Sequence, residues 1–261
     1  MSEIKWTPGQ SGAEDFRITS TDNTGERRPV TGALWLPEIV EQSTALILCG
    51  HGASGDRYQA PIPHLAKRFL RERGIATLAL DGPVHGLRQV GPGGREALRD
   101  EMQRPNFIDD MVDDWMLALA RIQDEKGIGL GPLGYFGLSM GTIFGIPLLA
   151  AASRASTYFC ASTLGLAGVK GAVSFIGDRL LTDAAAITHP IFYLMQLEDE
   201  LFDRDGYLAL FDALQATDKR LHANPGLHPQ IPEEEIDFAF NFLTARIAGP
   251  VPRNITNPIA D

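Results

Sequence analysis

The chain has 261 residues, of which 44% are hydrophobic and 21% charged, and its formal net charge is -10 at pH 7. This length suits one α/β domain with a large core, and the acidic balance argues against nucleic acid and anionic membrane surfaces, because phosphates require a basic patch. Since there is no basic-then-apolar leader and no apolar run of about 18 residues, we expect a cytoplasmic protein that does not enter a membrane.

Strand and helix patterns alternate along the chain. Residues 15–20 and 28–36, on either side of a turn-forming segment, predict an opening β-hairpin. Further on, continuous apolar runs predict buried strands, and apolar residues three to four positions apart predict helices. In chain order these are strand 45–49, helix 62–70, strand 75–80, helix 107–122, strand 133–138, helix 142–152, strand 158–161, strand 191–195, helix 207–214, strand 220–223 and helix 236–247. The alternation favours a mainly parallel sheet with helices on both faces and an antiparallel N-terminal edge.

Two stretches depart from this alternation. Residues 86–105 are rich in Gly, Arg and Gln and predict a long loop or small lid, whereas 165–186 lack a clean period and predict a minimal cap. We expect both stretches, with Phe202, to form pocket walls. Because no repeat or second core is evident, a single domain is predicted over 1–261, with the proline-containing 250–261 as a flexible tail.

The two cysteines, Cys49 and Cys160, lie in apolar runs and are expected to be buried free thiols. A disulfide framework needs more cysteines in a smaller chain, so a reducing compartment is favoured. An edge strand or the closing helix could pair two subunits into a homodimer.

The segment Gly137-Leu138-Ser139-Met140-Gly141 places a serine between a predicted buried strand and a predicted helix. A serine with a glycine two residues to either side is the nucleophile-elbow pattern, in which a tight turn holds the hydroxyl out at the carboxyl end of the sheet. The glycines relieve crowding in that turn. The alternative role for Ser139, an ordinary helix N-cap, leaves the glycines unexplained.

A serine hydroxyl needs a base to accept its proton, and the base needs a carboxylate to orient it. The carboxylate is expected in the turn after a late strand, where Asp199 has the best position. Glu198, Glu200 and Asp203 compete with it, Asp203 also as a cap for the helix that follows.

The base is expected in a loop after the last strand, and Pro225-Gly226-Leu227-His228-Pro229 supplies His228 there. The competitor, His222, alternates within the predicted last strand and is interpreted as a packed or exposed strand residue. We therefore predict His228 as the base.

The order Ser139, Asp199, His228 resembles that of the α/β-hydrolases. The resemblance covers nearly the whole chain and is also carried by Cys49-Gly50-His51-Gly52-Ala53 and Asp81-Gly82-Pro83-Val84-His85-Gly86. The second of these segments and the lack of a large cap insertion are similar to the dienelactone-hydrolase-like and prolyl-oligopeptidase-like esterases. Dienelactone hydrolases use a cysteine nucleophile, whereas this chain has a serine in the elbow.

The resemblance implies a serine hydrolase that cleaves a small carboxylic ester and uses neither a cofactor nor a metal. It implies an oxyanion hole made by the backbone N–H groups of Met140 and Ala53. It also implies structural roles beside the site, which fall to His51, Gly52, His85, Gly137 and Gly141. Cleavage of a thioester, an amide, a lactone or a carbon–carbon bond on the same fold remains an alternative, as does a non-catalytic binding protein.

Charged and imidazole groups elsewhere are expected to carry no chemistry. Asp56 and Arg57 are interpreted as solvated charges that start a helix. The acidic cluster on the 107–122 helix is interpreted as a solvated face, since no His or Cys is interleaved to suggest a metal site; its members are Asp109, Asp110, Asp113 and Asp114. His64 and His189 have no assigned role, and no glycine-rich nucleotide loop follows a strand.

Overall fold

The computed structural model describes residues 3–21, 25, 27–128, 131–155 and 157–247. Within these residues there are nine strands: β1 Ile4–Pro8, β2 Glu14–Thr21, β3 Arg27–Trp35, β4 Leu46–Gly50, β5 Ala76–Leu80, β6 Leu133–Gly137, β7 Phe159–Gly165, β8 Ile191–Gln196 and β9 Lys219–Asn224. The same residues form seven α-helices: α1 Ile62–Arg73, α2 Gly94–Glu101, α3 Phe107–Lys126, α4 Met140–Arg154, α5 Gly177–Ala184, α6 Arg204–Ala213 and α7 Glu233–Ile247. The predicted tail, 250–261, lies outside the described residues.

All nine strands form one sheet in the order β1-β2-β3-β5-β4-β6-β7-β8-β9. The pairs β1–β2, β2–β3 and β3–β5 are antiparallel. The six strands β4 to β9 are parallel to one another. The mainly parallel sheet with an antiparallel N-terminal hairpin is thus confirmed. Strand β1 was not predicted, because its alternation spans only five residues; Trp6 of β1 packs against Phe16 of β2, with ring centroids 5.5 Å apart.

Helices cover both faces of the sheet, and alternate residues of one strand point to opposite cores. Leu46 and Leu48 of β4 lie in the core beneath α3, α4 and α6, whereas Ile47 and Cys49 lie in the core beneath α1 and α7. A strand buried on both faces must be apolar throughout, which explains the unbroken hydrophobic run at 45–49. The carboxyl ends of the parallel strands meet at one edge, where the loops gather.

The two irregular stretches contain helices that the sequence did not reveal. The 86–105 stretch holds a 3₁₀ turn at Gly86–Arg88 and then α2, and the 165–186 stretch holds a 3₁₀ turn at Ser174–Ile176 and then α5. Helix α2 is only eight residues long and buries little besides Leu98, so it leaves almost no hydrophobic period to detect. The 86–105 stretch is therefore partly helical and not one long loop, and the alternative of a small lid stays a prediction.

Both cysteines are free thiols, as predicted. Cys49 is buried, but Cys160 is only partly covered, so the expectation of full burial is wrong for Cys160. None of the helices within the described residues has the length and apolar character that a membrane crossing requires.

Candidate active site

Ser139 lies at the tip of the turn between β6 and α4. Its backbone has φ 57° and ψ -120°, a conformation that side-chain crowding makes rare for L-residues. A Cβ on Gly141 would collide with the carbonyl oxygen of Gly50, and one on Gly137 would lie 2.7 Å from the carbonyl oxygen of Gly141. The turn therefore needs both glycines. The Ser139 side chain makes no capping hydrogen bond to α4, which removes the support for a simple N-cap role.

The strained turn is fixed from behind by β7. The Ser139 N–H donates to the carbonyl oxygen of Gly165 over 2.9 Å. The hydroxyl of Thr142 accepts from the Gly165 N–H over 2.8 Å and lies 2.7 Å from the carbonyl oxygens of both Gly137 and Gly165. This buried hydroxyl ties the elbow to the neighbouring strand, so the position of the Ser139 side chain is held by the fold.

The structure brings Ser139, Asp199 and His228 together from the loops after β6, β8 and β9. His228 Nδ1 lies 2.7 Å from Asp199 Oδ2, and His228 Nε2 lies 2.9 Å from Ser139 Oγ. A carboxylate can only accept, so the Nδ1 atom carries the ring proton and the Nε2 lone pair faces the serine hydroxyl. His228 is 7% exposed, so the imidazole is shielded, yet it still lines one of the two cavities described below.

Asp199 is held by four donors. Besides His228, it accepts hydrogen bonds from the N–H groups of Leu201 at 2.7 Å and Phe202 at 3.1 Å, and from the hydroxyl of Tyr207. Burial alone would raise the pKa of Asp199, but the hydrogen bonds from His228, Tyr207 and Leu201 outweigh it and lower the pKa below its usual value. The carboxylate is therefore stabilised in its charged form.

Tyr207 is the site residue that the sequence analysis missed. It was assigned only to a helical core face, and it is fully buried in α6. Its hydroxyl donates to Asp199 Oδ2, the same oxygen that faces His228. The available signal was a tyrosine eight positions after the acid on the next helix, which fixes no contact by itself.

The competing acids have other roles in the structure. Glu198 accepts from the Gly226 N–H, and Glu200 accepts from the His228 N–H over 2.9 Å, so both carboxylates hold the backbone of the histidine loop. Asp203 stands at the N-cap position of α6 without a side-chain cap bond.

The competing histidine, His222, has its Nδ1 atom 2.8 Å from Glu235 Oε2, and its ring contacts Phe192 and Phe238. The interpretation of His222 as a packed strand residue agrees with these contacts.

The loop after β4 is braced by two histidines, as the resemblance implied. His51 Nε2 accepts from the Gly82 N–H over 2.8 Å, so Nδ1 carries the proton and donates to the carbonyl oxygen of Gly52 over 2.7 Å. Burial lowers the pKa of His51 to about 4, which keeps it neutral. The ring nitrogens of His85 lie 2.6 Å from the Pro83 oxygen and 3.1 Å from the Ala53 oxygen. These contacts fix the position of Ala53 beside Ser139.

Arg57 lies beneath this loop and is 6% exposed, so the expectation of a solvated charge is wrong. Its guanidinium group contacts Asp81 at 3.0 Å and Asp15 at 2.8 Å. Asp81 also accepts from the Thr31 hydroxyl over 2.6 Å. Asp56, by contrast, accepts from the Tyr58 N–H in a local turn. The sequence could not show that Arg57 turns inward, because both partners come from distant strands.

The acidic face of α3 is also only partly solvated. Asp110 and Asp114 are 1% and 0% exposed, and Asp114 lies 2.7 Å from Arg88 and 3.2 Å from Arg28. Asp113 is exposed, as expected, and Asp109 pairs with an arginine at the surface. The expectation of a fully solvated face is therefore wrong for the two buried members, which neutralise arginines from β3 and the 86–88 turn.

Two cavities flank Ser139 and share the side chains or backbone of Ala53, Ser139 and Leu201. The first, of about 210 Å³, extends toward α1 and is called here the α1-side cavity; its lining includes Gln59, Ile62, Leu138, Glu200, His228 and Ile231. The second, of about 280 Å³, extends toward α2 and is called the α2-side cavity; its lining includes Leu98, Met102, Met140, Ile143, Val173 and Phe202. Both irregular stretches supply walls of the α2-side cavity, as predicted.

Met140 begins α4 and lines the α2-side cavity together with Ala53 and Ser139. Within the described residues, neither the Met140 N–H nor the Ala53 N–H donates to a backbone acceptor outside the regular elements. The Met140 N–H lies in the first turn of a helix, where the dipole favours negative charge. Across the described ranges, no three His, Cys, Asp or Glu side chains converge as metal ligands.

A mostly parallel sheet with a serine elbow after β6 and a histidine loop after β9 defines an α/β-hydrolase architecture. No protein-family model matches the chain, and no curated protein matches it. Among solved structures, the PEG-bound form of a cold-adapted esterase from an Arctic intertidal metagenomic library is 32% identical, with 93% of this chain and 97% of that chain covered and a TM-score of 0.76. The chain belongs to the α/β-hydrolase superfamily.

More distant structures share the fold. A putative hydrolase from Agrobacterium vitis is 17% identical, covers 90% of this chain and 99% of its own length, and has a TM-score of 0.65. Acetyl xylan esterase 1 from a Thermoanaerobacterium species is 15% identical, with coverages of 94% and 88% and a TM-score of 0.65. At these identities the likeness concerns the fold alone.

Proposed function

We propose that this protein is a serine hydrolase that cleaves carboxylic esters through an acyl-enzyme. The observation that carries the proposal is the continuous hydrogen-bonded series from Ser139 Oγ through His228 to Asp199, built on a strained elbow. A relative of 32% identity over nearly the whole chain is an esterase, which favours an ester over an amide or a carbon–carbon bond.

In the acylation half, Ser139 Oγ attacks the ester carbonyl carbon while His228 Nε2 accepts the hydroxyl proton. Asp199 holds the imidazole by its Nδ1–H and stabilises the imidazolium that forms. The tetrahedral intermediate then collapses: the bond to the alcohol oxygen breaks, and the proton on Nε2 passes to that oxygen. The alcohol leaves, and the acyl group remains bonded to Ser139 Oγ.

In the deacylation half, water enters beside His228 and attacks the acyl carbon as Nε2 accepts one of its protons. The bond to Ser139 Oγ breaks, and the proton returns to the serine. The products are the carboxylic acid and the free enzyme. The same imidazole therefore serves as base and acid in each half.

Negative charge on the carbonyl oxygen is stabilised by the N–H groups of Met140 and Ala53. Preorganised donors of this kind contribute about 3–4 kcal/mol each to transition-state stabilisation. The braces on this loop, His51 and His85, fix the backbone before substrate binds, so little reorganisation accompanies the reaction.

The test is Ser139→Ala, measured with p-nitrophenyl butyrate and with a fluorophosphonate probe. We expect kcat to fall by about 10⁴-fold or more, since removing the nucleophile leaves only binding and the oxyanion donors. Labelling should disappear, and the midpoint of thermal unfolding should not fall. Ser153→Ala, at an exposed position on the same helix, is the control and should change neither turnover nor labelling.

Retention of turnover by Ser139→Ala would overturn the proposal. Folded wild-type protein that neither binds the probe covalently nor hydrolyses any ester would favour a non-catalytic binder. Thioester, lactone and amide substrates measured beside the ester series decide which acyl bond is cleaved most rapidly.

A further inference from the structure

The positions of the two cavities relative to the imidazole distinguish the two halves of an ester. His228 lines the α1-side cavity and does not line the α2-side cavity. Phe202 lines the α2-side cavity and packs beside the imidazole, with ring centroids 5.7 Å apart. The imidazole is therefore accessible from the α1 side and covered on the α2 side.

Proton transfer requires the leaving alcohol oxygen to contact His228 Nε2 within hydrogen-bond reach. The alcohol must then extend into the cavity that the imidazole lines, while the acyl chain extends to the other side of Ser139. Resting on the proposed function, we propose that the α2-side cavity binds the acyl chain and the α1-side cavity binds the alcohol, and that the substrates are esters of an apolar, medium-length acid with a hydroxylated alcohol.

The α2-side cavity has the chemistry of an acyl site. Its buried lining is aliphatic or aromatic, from Leu98, Ile143, Val173 and Phe202. Its charged and amide side chains, Arg99 and Gln103, are exposed and stand at the mouth. At about 280 Å³ it has room for more than an acetyl group.

The α1-side cavity has apolar walls but carries polar groups placed to meet hydroxyls. Ser54, Gln59 and Glu200 line it. The Gln59 amide nitrogen donates to the Ser54 hydroxyl over 2.9 Å, whereas its oxygen, Oε1, is buried without a hydrogen-bond partner. A buried acceptor without a donor is costly, and an alcohol hydroxyl would satisfy it. The Glu200 carboxylate excludes an anionic alcohol by charge.

The acyl side is tested with the p-nitrophenyl esters of acetate, butyrate and hexanoate. Each buried methylene raises kcat/KM by up to about fourfold, so wild-type enzyme should prefer hexanoate to acetate by roughly 10- to 100-fold in this partly open cavity. Ala172 is exposed and lines only the α2-side cavity. Ala172→Phe should lower the hexanoate-to-acetate ratio by about tenfold.

The matched variant is Ala60→Phe, at an exposed alanine that lines only the α1-side cavity. It should slow all three esters and leave the hexanoate-to-acetate ratio unchanged. Because a ratio within one preparation cancels the concentration of active enzyme, partial misfolding of either variant does not affect the result.

The alcohol side is tested with monohexanoylglycerol against butyl hexanoate. Wild-type enzyme should prefer the glyceryl ester, and Gln59→Leu should lower that preference by about 2- to 10-fold, the value of one net hydrogen bond. The hexanoate-to-acetate ratio should not change in Gln59→Leu.

A collapse of the acyl ratio in Ala60→Phe but not in Ala172→Phe would show that the two cavities have been assigned in reverse. A hexanoate-to-acetate ratio near one in the wild-type enzyme, or a preference for the butyl ester over the glyceryl ester, would contradict the proposed substrate class. In both cases Ser139-dependent turnover would persist, which distinguishes these failures from failure of the proposed function.

Discussion

Two buried polar networks differ in whether they reach the cavities beside Ser139. The rim network consists of Ser139, His228, Asp199 and Tyr207, and it ends on a hydroxyl that faces the cavities. The α3 network joins arginines to two buried carboxylates. Asp110 contacts the guanidinium groups of Arg28 and Arg104. Asp114 contacts those of Arg28 and Arg88. The rim network therefore has an end that opens on the cavities, whereas the α3 network is closed by ion pairs between its own charges and none of its residues lines either cavity.

The closed network nevertheless reaches the site. Arg88 donates to the backbone oxygen of Asp81 over 3.1 Å, and the Asp81 carboxylate binds Arg57 beneath the loop that follows β4. Gly82, the next residue, donates to His51. The α3 network holds a loop in place from beneath, and the rim network supplies the groups of the proposed chemistry, so the two networks divide positioning from chemistry.

The largest effect on stability is expected from a substitution that breaks the α3 network. Burial outweighs the guanidinium groups of Arg88 and Arg28 and raises the pKa of Asp114, so the intact network adds little net stability. Asp114→Ala, however, leaves Arg88 buried without its carboxylate. We expect a loss of about 3–5 kcal/mol in the free energy of unfolding, measured by urea titration. The kcat per mole of folded enzyme should change much less.

The control is Asp113→Ala, which removes the same charge from the neighbouring, exposed residue. Its free energy of unfolding should change by no more than about 0.5 kcal/mol. Equal destabilisation by the two variants would contradict the separation of positioning from chemistry, because it would attribute the effect to net charge.

The contrast also explains what the sequence could and could not predict. The convergence of Ser139, Asp199 and His228 could be predicted because the elbow has a local steric signature and its partners follow strands in a fixed order. The buried strands were found because two-sided burial demands a continuous apolar run. In both cases the information lies within a few neighbouring residues.

Pairings between distant elements have no such local signature. Arg57, Asp110 and Asp114 look like surface charges until the strand and turn that supply their partners are in place. Tyr207 fits a helical core face whether or not its hydroxyl meets Asp199. Helix α2 was missed for a different reason: it buries few residues, so its sequence has no hydrophobic period to detect.

A smaller effect is expected from the comparison of two histidines, of which His228 is buried and His189 is partly buried. His228 has a carboxylate partner, whereas the hydrogen-bond partner of His189 within the described part of the chain is the Ser162 hydroxyl, 2.8 Å from Nε2. Burial lowers the pKa of His189 from 6.5 to about 4. A lowered histidine pKa means that stability is fully present above pH 6.5 and is lost as the pH falls toward 4, because the unfolded chain binds the proton more readily.

His189→Gln should remove the part of the acid-induced loss of stability that this imidazole causes. At pH 5 this part is about 2 kcal/mol, so the drop in the unfolding midpoint between pH 7.5 and pH 5 should shrink by about 5 °C. His64→Gln, at an exposed histidine, is the control and should leave the drop as it is. An unchanged drop in His189→Gln would show that the folded protein binds this proton as readily as the unfolded chain does.

The smallest expected effect concerns the hydroxyl of Tyr207, which donates to Asp199 from the protein core. Tyr207→Phe removes one hydrogen bond from Asp199 Oδ2, and the pKa of Asp199 should rise as a result. A carboxylate with one donor fewer attracts the proton on the imidazole more strongly. We therefore expect the acidic limb of the kcat/KM profile to move to higher pH, with kcat lowered by about fivefold, equivalent to ~1 kcal/mol.

Tyr193→Phe is the matched control, because Tyr193 is also fully buried and its hydroxyl donates over 2.7 Å to the Ala167 oxygen, away from Asp199. Both variants lose one buried hydrogen bond, so both should lose similar thermal stability. Only Tyr207→Phe should displace the acidic limb. If the two pH profiles coincide, Tyr207 contributes packing alone, and the rim network ends at Asp199; if they separate, the network extends through α6 into the core.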